Sequence, residues 1–218
     1  VVLDAGTAMY RVREHIETSA LDIFLSHAHL DHVVGLTFLF DIMWKRPLER
    51  VTVHAEAAKC CAIDAHLFSK ALFPARPPFH WAPLEGPVEL PQRGRLTYFK
   101  IPHPGGAIGY RLDWSGHSMA YVTDTTARPD ADYIQTIQGV DLLIHECYFT
   151  DDDSDRANET GHSRLTPVAQ VARAADVGRL VMVHMNPLAP IDHPLDLPLA
   201  RSIFEHSEVA VDNMKLEF

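Results

Sequence analysis

Five apolar runs in this 218-residue chain each stop at a histidine or an acid. Leu21–Leu25 leads to His27, Leu96–Ile101 to His103, and Met119–Thr123 to Asp124. Val140–Ile144 leads to His145-Glu146, and Leu180–Val183 to His184. The runs are short and rich in β-branched or aromatic residues, the composition of buried strands. Strand ends that share one edge bring such polar groups together. The pattern therefore constrains the chain twice, to sheets whose strands end level and to a polar cluster at that edge.

Further strands are expected at Val51–His54, Ile108–Leu112 and Val209–Phe218, and helices at Met9–Thr18, Val33–Lys45, Ala55–Ser69, Pro167–Asp176 and Leu197–His206. Thr166-Pro167 reads as a helix start, a hydroxyl cap followed by proline in the first turn. Strands mixed with helices define an α/β (α+β) protein of sheets flanked by helices. The length suits a single domain over 1–218, and no repeat or linker interrupts it. The proline-rich stretch Phe73–Pro91 reads as a long surface connection, and Asp151–Glu159 as a mobile acidic loop. The opening Val1-Val2-Leu3-Asp4-Ala5-Gly6 resembles the end of a strand, so missing upstream residues are expected.

The formal net charge of −10 opposes loose binding to nucleic acid, which clustered Lys and Arg would attract. It does not oppose a local cationic site, because two divalent metals would add four positive charges at one point. Three cysteines, Cys60, Cys61 and Cys147, show no metal-type spacing and no disulfide framework. They suit a reducing compartment, and a cytoplasmic location is expected. No run is long and apolar enough for a membrane span.

Fourteen histidines are many for this length, and their positions matter more than their number. The densest group is Ser26-His27-Ala28-His29-Leu30-Asp31-His32. His27 and His29 lie two apart, so in extended backbone they face the same side and can grip one metal. Asp31 and His32 follow at the turn into a helix and can face a second metal. Asp124, anionic with two oxygens, is the candidate bridge between the ions. His103 would complete the first site and His184 the second. Zn2+ suits such ligands, and Mn2+ or Fe would also be accepted. His15, His54, His66, His80, His117 and His206 are read as surface or core histidines, and His193 as part of a surface loop.

The pattern His-x-His-x-Asp-His with downstream His103, Asp124 and His184 resembles the metallo-β-lactamase superfamily. The resemblance implies an αββα sandwich, two mixed β-sheets flanked by helices, with a dinuclear site on one edge. Leu3-Asp4-Ala5-Gly6-Thr7 is similar to the early Asp-x-Gly turn of that family, where the Asp supports the metal loop without being a ligand. The same resemblance implies that the missing upstream residues form an N-terminal hairpin. His103-Pro104-Gly105-Gly106-Ala107-Ile108-Gly109-Tyr110-Arg111 resembles a stretch of the ribonuclease Z-like and related phosphodiesterases. His145-Glu146-Cys147-Tyr148-Phe149 and Gly161-His162-Ser163 resemble two further motifs of that branch.

The branch resemblance implies phosphodiester hydrolysis by a metal-bridging hydroxide, with His162 as the general acid and Glu146 orienting it. Asp31 is carried as a catalytic residue besides being a ligand, and His145 as a supporting neighbour. Such a pair answers a chemical need, since metal ions do not protonate a departing alkoxide. The chain runs from Arg111 directly into the next strand, without the long arm of many ribonucleases Z. A small or generic phosphodiester is therefore expected, with RNA kept as an option. The resemblance leaves a homodimer open. The rival readings are a thioester or lactone hydrolase on the same ligands, and a metal-dependent binding or sensing protein.

Overall fold

The computed structural model describes residues 1–190, 192 and 194–218, so the expectation for His193 lies outside the described residues. The chain forms two compact units, Val1–Glu85 and Gly86–Phe218.

The first unit carries a four-stranded sheet of β1 (Val2–Leu3), β2 (Ala20–Phe24), β3 (Arg50–Ala55) and β4 (His80–Pro83), in that order. All three pairings are parallel, although two mixed sheets were expected. The reason lies in the connections: helical segments link β1 to β2, β2 to β3 and β3 to β4, and a crossover returns the chain in the same direction. Between β2 and β3 lie α1 (Leu30–Val33), a 3-10 turn over Val34–Phe38 and α2 (Leu39–Met43). Between β3 and β4 lies α3 (Ala57–His66). Leu21, Ile23, Leu36, Leu39, Ile42, Val51, Val53 and Ile63 fill the core.

The second unit carries seven strands in the order β11-β10-β9-β8-β7-β6-β5. The members β5 (Val88–Leu90), β6 (Gly94–Ile101), β7 (Ala107–Trp114) and β8 (His117–Val122) form an antiparallel meander. Parallel pairing then adds β9 (Leu142–Glu146), β10 (Arg179–Val183) and β11 (Ser207–Val209). The crossovers hold α4 (Ile134–Ile137), α5 (Ser154–Thr160), α6 (Leu165–Ala174) and α7 (Leu197–Ile203). Alternate residues of β8–β10, among them Ala120, Val122, Leu143, Leu180 and Met182, meet Val168, Val171 and Ala172 of α6.

Several local expectations are corrected. Phe73–Pro91 contains β4 and β5 and is not a bare connection. Residues 151–160 are helical, a 3-10 turn followed by α5, instead of a loop. Met9–Glu14 is a single 3-10 segment, and the helix expected over Val33–Lys45 is three short pieces. Beyond Val209 the described residues form no strand, because neither Asp212-Asn213 nor the charged Lys215 and Glu217 fits the expected apolar run. The helix start at Thr166-Pro167 moves to α6 with Arg164 as its cap. There Asp151 supplies the capping carboxylate, accepting from Thr166 N at 3.1 Å and Thr166 Oγ1 at 2.6 Å.

Candidate metal centre and acid–base pair

In the first unit the chain leaves β2 through Leu25, whose N–H bonds to His54 O, and enters the histidine loop. Asp4 organises that loop from the end of β1, with φ of +59°, a left-handed conformation rare outside glycine. Its Oδ1 accepts from Ser26 N at 2.7 Å and its Oδ2 from Ser26 Oγ at 2.8 Å. The same Oδ2 lies 2.9 Å from His32 Nδ1. With its hydroxyl proton given to Asp4, Ser26 Oγ accepts from His27 Nδ1 at 3.0 Å. Both rings are thereby fixed with the proton on Nδ1, which leaves Nε2 a lone pair for a metal.

His27 and His32 are buried, and their ring centres lie 4.2 Å apart. His29 is exposed, its ring 4.5 Å from that of His27. Asp31 is largely exposed, with Oδ2 3.5 Å from His32 Nε2. Backbone packing holds the loop close to the Asp4 turn. Ala5 N donates to His32 O, and a Cβ on Gly6 would meet Asp31 O at 2.7 Å. Only glycine tolerates that approach.

In the second unit Asp124 follows β8 and is 2 % exposed. Its two oxygens face different histidines: Oδ2 lies 3.8 Å from His103 Nε2, and Oδ1 lies 3.6 Å from His184 Nε2. His103 Nδ1 donates to Gly161 O at 3.0 Å, so its Nε2 presents a lone pair to the carboxylate. A lone pair facing a carboxylate repels it unless a cation lies between. Two ligands each about 2.0–2.1 Å from a tetrahedral ion sit about 3.3 Å apart. The observed spacings thus fit a carboxylate that holds one ion with each oxygen, and the donor set fits divalent metal. His184 has φ of +57°, a strained conformation at the end of β10.

Glu146 closes β9 with no exposed surface. Its Oε1 accepts from Thr125 N at 3.1 Å and Ser163 N at 2.8 Å, and its Oε2 from Tyr148 N at 3.0 Å. Burial pushes its carboxyl up from the usual range, while His162 and the Thr125 amide pull it down. His162 Nδ1 lies 3.5 Å from Oε1. The His162 ring stacks on Tyr148 at 4.7 Å and on His184 at 5.5 Å. His145, one residue earlier in the strand, faces the other way. Its Nδ1 donates to Glu146 O at 2.7 Å and its Nε2 meets Tyr133 Oη at 3.2 Å, so it serves the strand end and reaches no ligand candidate. Burial lowers its pKa to about 4.

Some contributors stood in the sequence only as neighbours within a motif, with no role of their own. Ser163 is a buried junction: Oγ donates to Thr125 O at 2.6 Å and accepts from Ala127 N at 2.9 Å. Gly161 has φ of +76°, and a Cβ there would collide with Pro104 Cδ. Ser26 sits beside the histidines, yet only the fold reveals its part in fixing them.

A family model described as "Beta-lactamase superfamily domain" matches residues 1–185, which run through both units. The ribonuclease Z of Gemmatimonas aurantiaca is 36 % identical, with 97 % of this chain and 84 % of the relative covered. That alignment has 273 positions against 218 residues here, so segments of the relative have no counterpart. The ribonuclease Z of Gloeothece citriformis is 42 % identical over 107 residues, which cover 47 % of this chain and about a third of the relative, 33 %. Among solved structures, the metallo-β-lactamase fold protein YhfI from Bacillus subtilis superposes with a TM-score of 0.75 at 18 % identity, with 95 % of this chain and 83 % of that one covered. Two sheets flanked by helices are thus the metallo-β-lactamase fold. The chain belongs to the metallo-β-lactamase superfamily, in its ribonuclease Z-like branch.

Proposed function

We propose that this chain is a metal-dependent phosphodiesterase of ribonuclease Z-like type. His27, His29 and His103 would hold one divalent ion, Asp31, His32 and His184 the other, and Asp124 would serve both. Zn2+ is the first expectation for both ions. Bound there, the ions lower the pKa of a water and neutralise charge on the phosphoryl oxygens. The substrate is a phosphodiester, with RNA, the substrate class of the relatives named ribonuclease Z, among the options.

The observation that carries the reading is the Glu146–His162 pair beside His184. Ligand atoms of Glu146, His162 and His184 all lie within 4.8 Å of one another, the spacing of a cation site as well as of an acid–base relay. Three amide donors on Glu146 favour the relay, because they occupy most of its lone pairs. Glu146 then holds an imidazolium at His162, which passes a proton to the departing oxygen as the P–O bond breaks. The water oxygen stays on phosphorus, giving a phosphomonoester and an alcohol. Asp31, largely exposed, is assigned a catalytic part besides its part as a ligand.

Hydrolysis of bis(4-nitrophenyl) phosphate by zinc- or manganese-loaded protein tests the reading. His162→Ala is expected to lower turnover by roughly 10²- to 10⁴-fold with metal content unchanged. Asp124→Ala is expected to lose both metal and turnover. Wild-type turnover in His162→Ala would sink the acid assignment, and an inert metal-loaded wild type would sink the phosphodiesterase reading.

A further inference from the structure

Beside His162 the second unit has a cavity of about 290 Å³, lined among others by Thr126, Arg128, Asn158, Arg164 and Gln170. Its lining holds two arginines and no carboxylate, in a chain with 29 acids and 19 basic residues. Each arginine pairs with an acid outside this lining, and Arg128, 68 % exposed, also borders a neighbouring cavity lined by Asp130. Asp130 takes Nε and Nη2 of Arg128 at 3.0 and 2.9 Å, which leaves Nη1 for a ligand. Asp151 lies 3.4 Å from Nη1 of Arg164, which leaves Nε and Nη2. Asp151 is itself fixed by Thr166, so Arg164 is anchored at the start of α6.

We infer that this cavity is the leaving-group subsite, and that Arg128 and Arg164 bind the next phosphate of a nucleotide chain there. The inference rests on the phosphodiesterase reading above, in which His162 protonates the departing oxygen. Whatever carries that oxygen must then occupy the His162 side. Guanidinium forks match phosphate oxygens, and the amides of Asn158 and Gln170 offer both donors and acceptors to a base edge. The cavity approaches the size range of pockets for small organic ligands. A substrate with a phosphate beyond the leaving oxygen gains contacts that bis(4-nitrophenyl) phosphate cannot make.

The test compares kcat/KM for UpU, pUpU and UpUp with metal-loaded protein. One terminally phosphorylated dinucleotide, the one whose extra phosphate lies on the leaving side, should exceed UpU by roughly tenfold or more. In Arg128→Gln/Arg164→Gln that ratio should fall toward one. Asp151→Asn, which keeps the α6 cap but removes the charge fixing Arg164, should lower it less. Equal ratios in wild type and double variant, or no preference in wild type, would overturn the subsite while leaving phosphodiester cleavage intact. If neither UpU nor bis(4-nitrophenyl) phosphate is cleaved, the phosphodiesterase reading falls first and the subsite with it.

Discussion

Asp4 shows how one side chain outside the proposed ligand set can orient members of it. Its carboxylate meets Ser26 twice and His32 once, and through Ser26 it reaches His27. Asp4→Ala is expected to weaken metal binding by about 10- to 100-fold, the usual effect of losing such an orienting partner. Chelator-competition titration reads it, and unchanged affinity would remove Asp4 from the metal loop's support. His145 makes a different prediction. Its folded pKa of about 4 lies below the ordinary histidine value, so the neutral ring stabilises the fold above the unfolded pKa near 6.5. As pH falls from there toward 4, the unfolded chain takes up a proton that the fold refuses, and stability drops on the order of 3 kcal/mol. Urea unfolding at pH 7 and pH 4.5 should show a smaller fall in His145→Gln than in wild type.

At the scale of elements, the strand-end pattern was legible because β-branched runs and the polar residue after them are local features of sequence. β2, β6, β8 and β10 lie where those runs are, each followed within three residues by His27, His103, Asp124 or His184. The fifth run was placed early. β9 spans Leu142–Glu146 instead of Val140–Ile144, which puts His145 and Glu146 inside the strand on opposite faces. Alternation puts them on opposite faces, whereas the separate roles expected for them come from the motif resemblance and not from the strand-end pattern. Caps were less legible, since α6 takes its capping carboxylate from Asp151, 15 residues before Thr166. Asp151→Ala is expected to cost about 1 kcal/mol, the usual worth of a cap, measurable by chemical denaturation. Gly161 was legible only as part of a motif. Its left-handed φ and its closeness to Pro104 predict that Gly161→Ala destabilises the fold and disturbs the His103 bond to its carbonyl.

At the scale of the molecule, ligand candidates are divided between the two units, four in the first and three in the second. If the proposed ligands hold metal in the folded chain and not in the unfolded one, metal adds to stability. Metal at about 100 times its Kd should stabilise the protein by about 2.7 kcal/mol. Thermal melts with saturating zinc and with excess chelator check this, and coincident melts would argue against the proposed metal ligands. No helix among the described residues is long and apolar enough to cross a membrane. Acidic composition argues against a broad basic face and is silent on a local one. Arg128 and Arg164 stand 36 positions apart in sequence, and only the packing of the second unit brings them to one cavity.

The parallel strands β8, β9 and β10 pair in register, Val122 with His145 and Glu146 with Val183. Their level ends separate two kinds of length change. A residue inserted within one of these strands would slide its terminal group by one pleat and turn it to the opposite face. An insertion in the crossovers that follow would leave the chemistry standing and reshape only what surrounds it. Lineages built on this sheet can thus trade whole segments between one substrate and another while the reactive edge stays put.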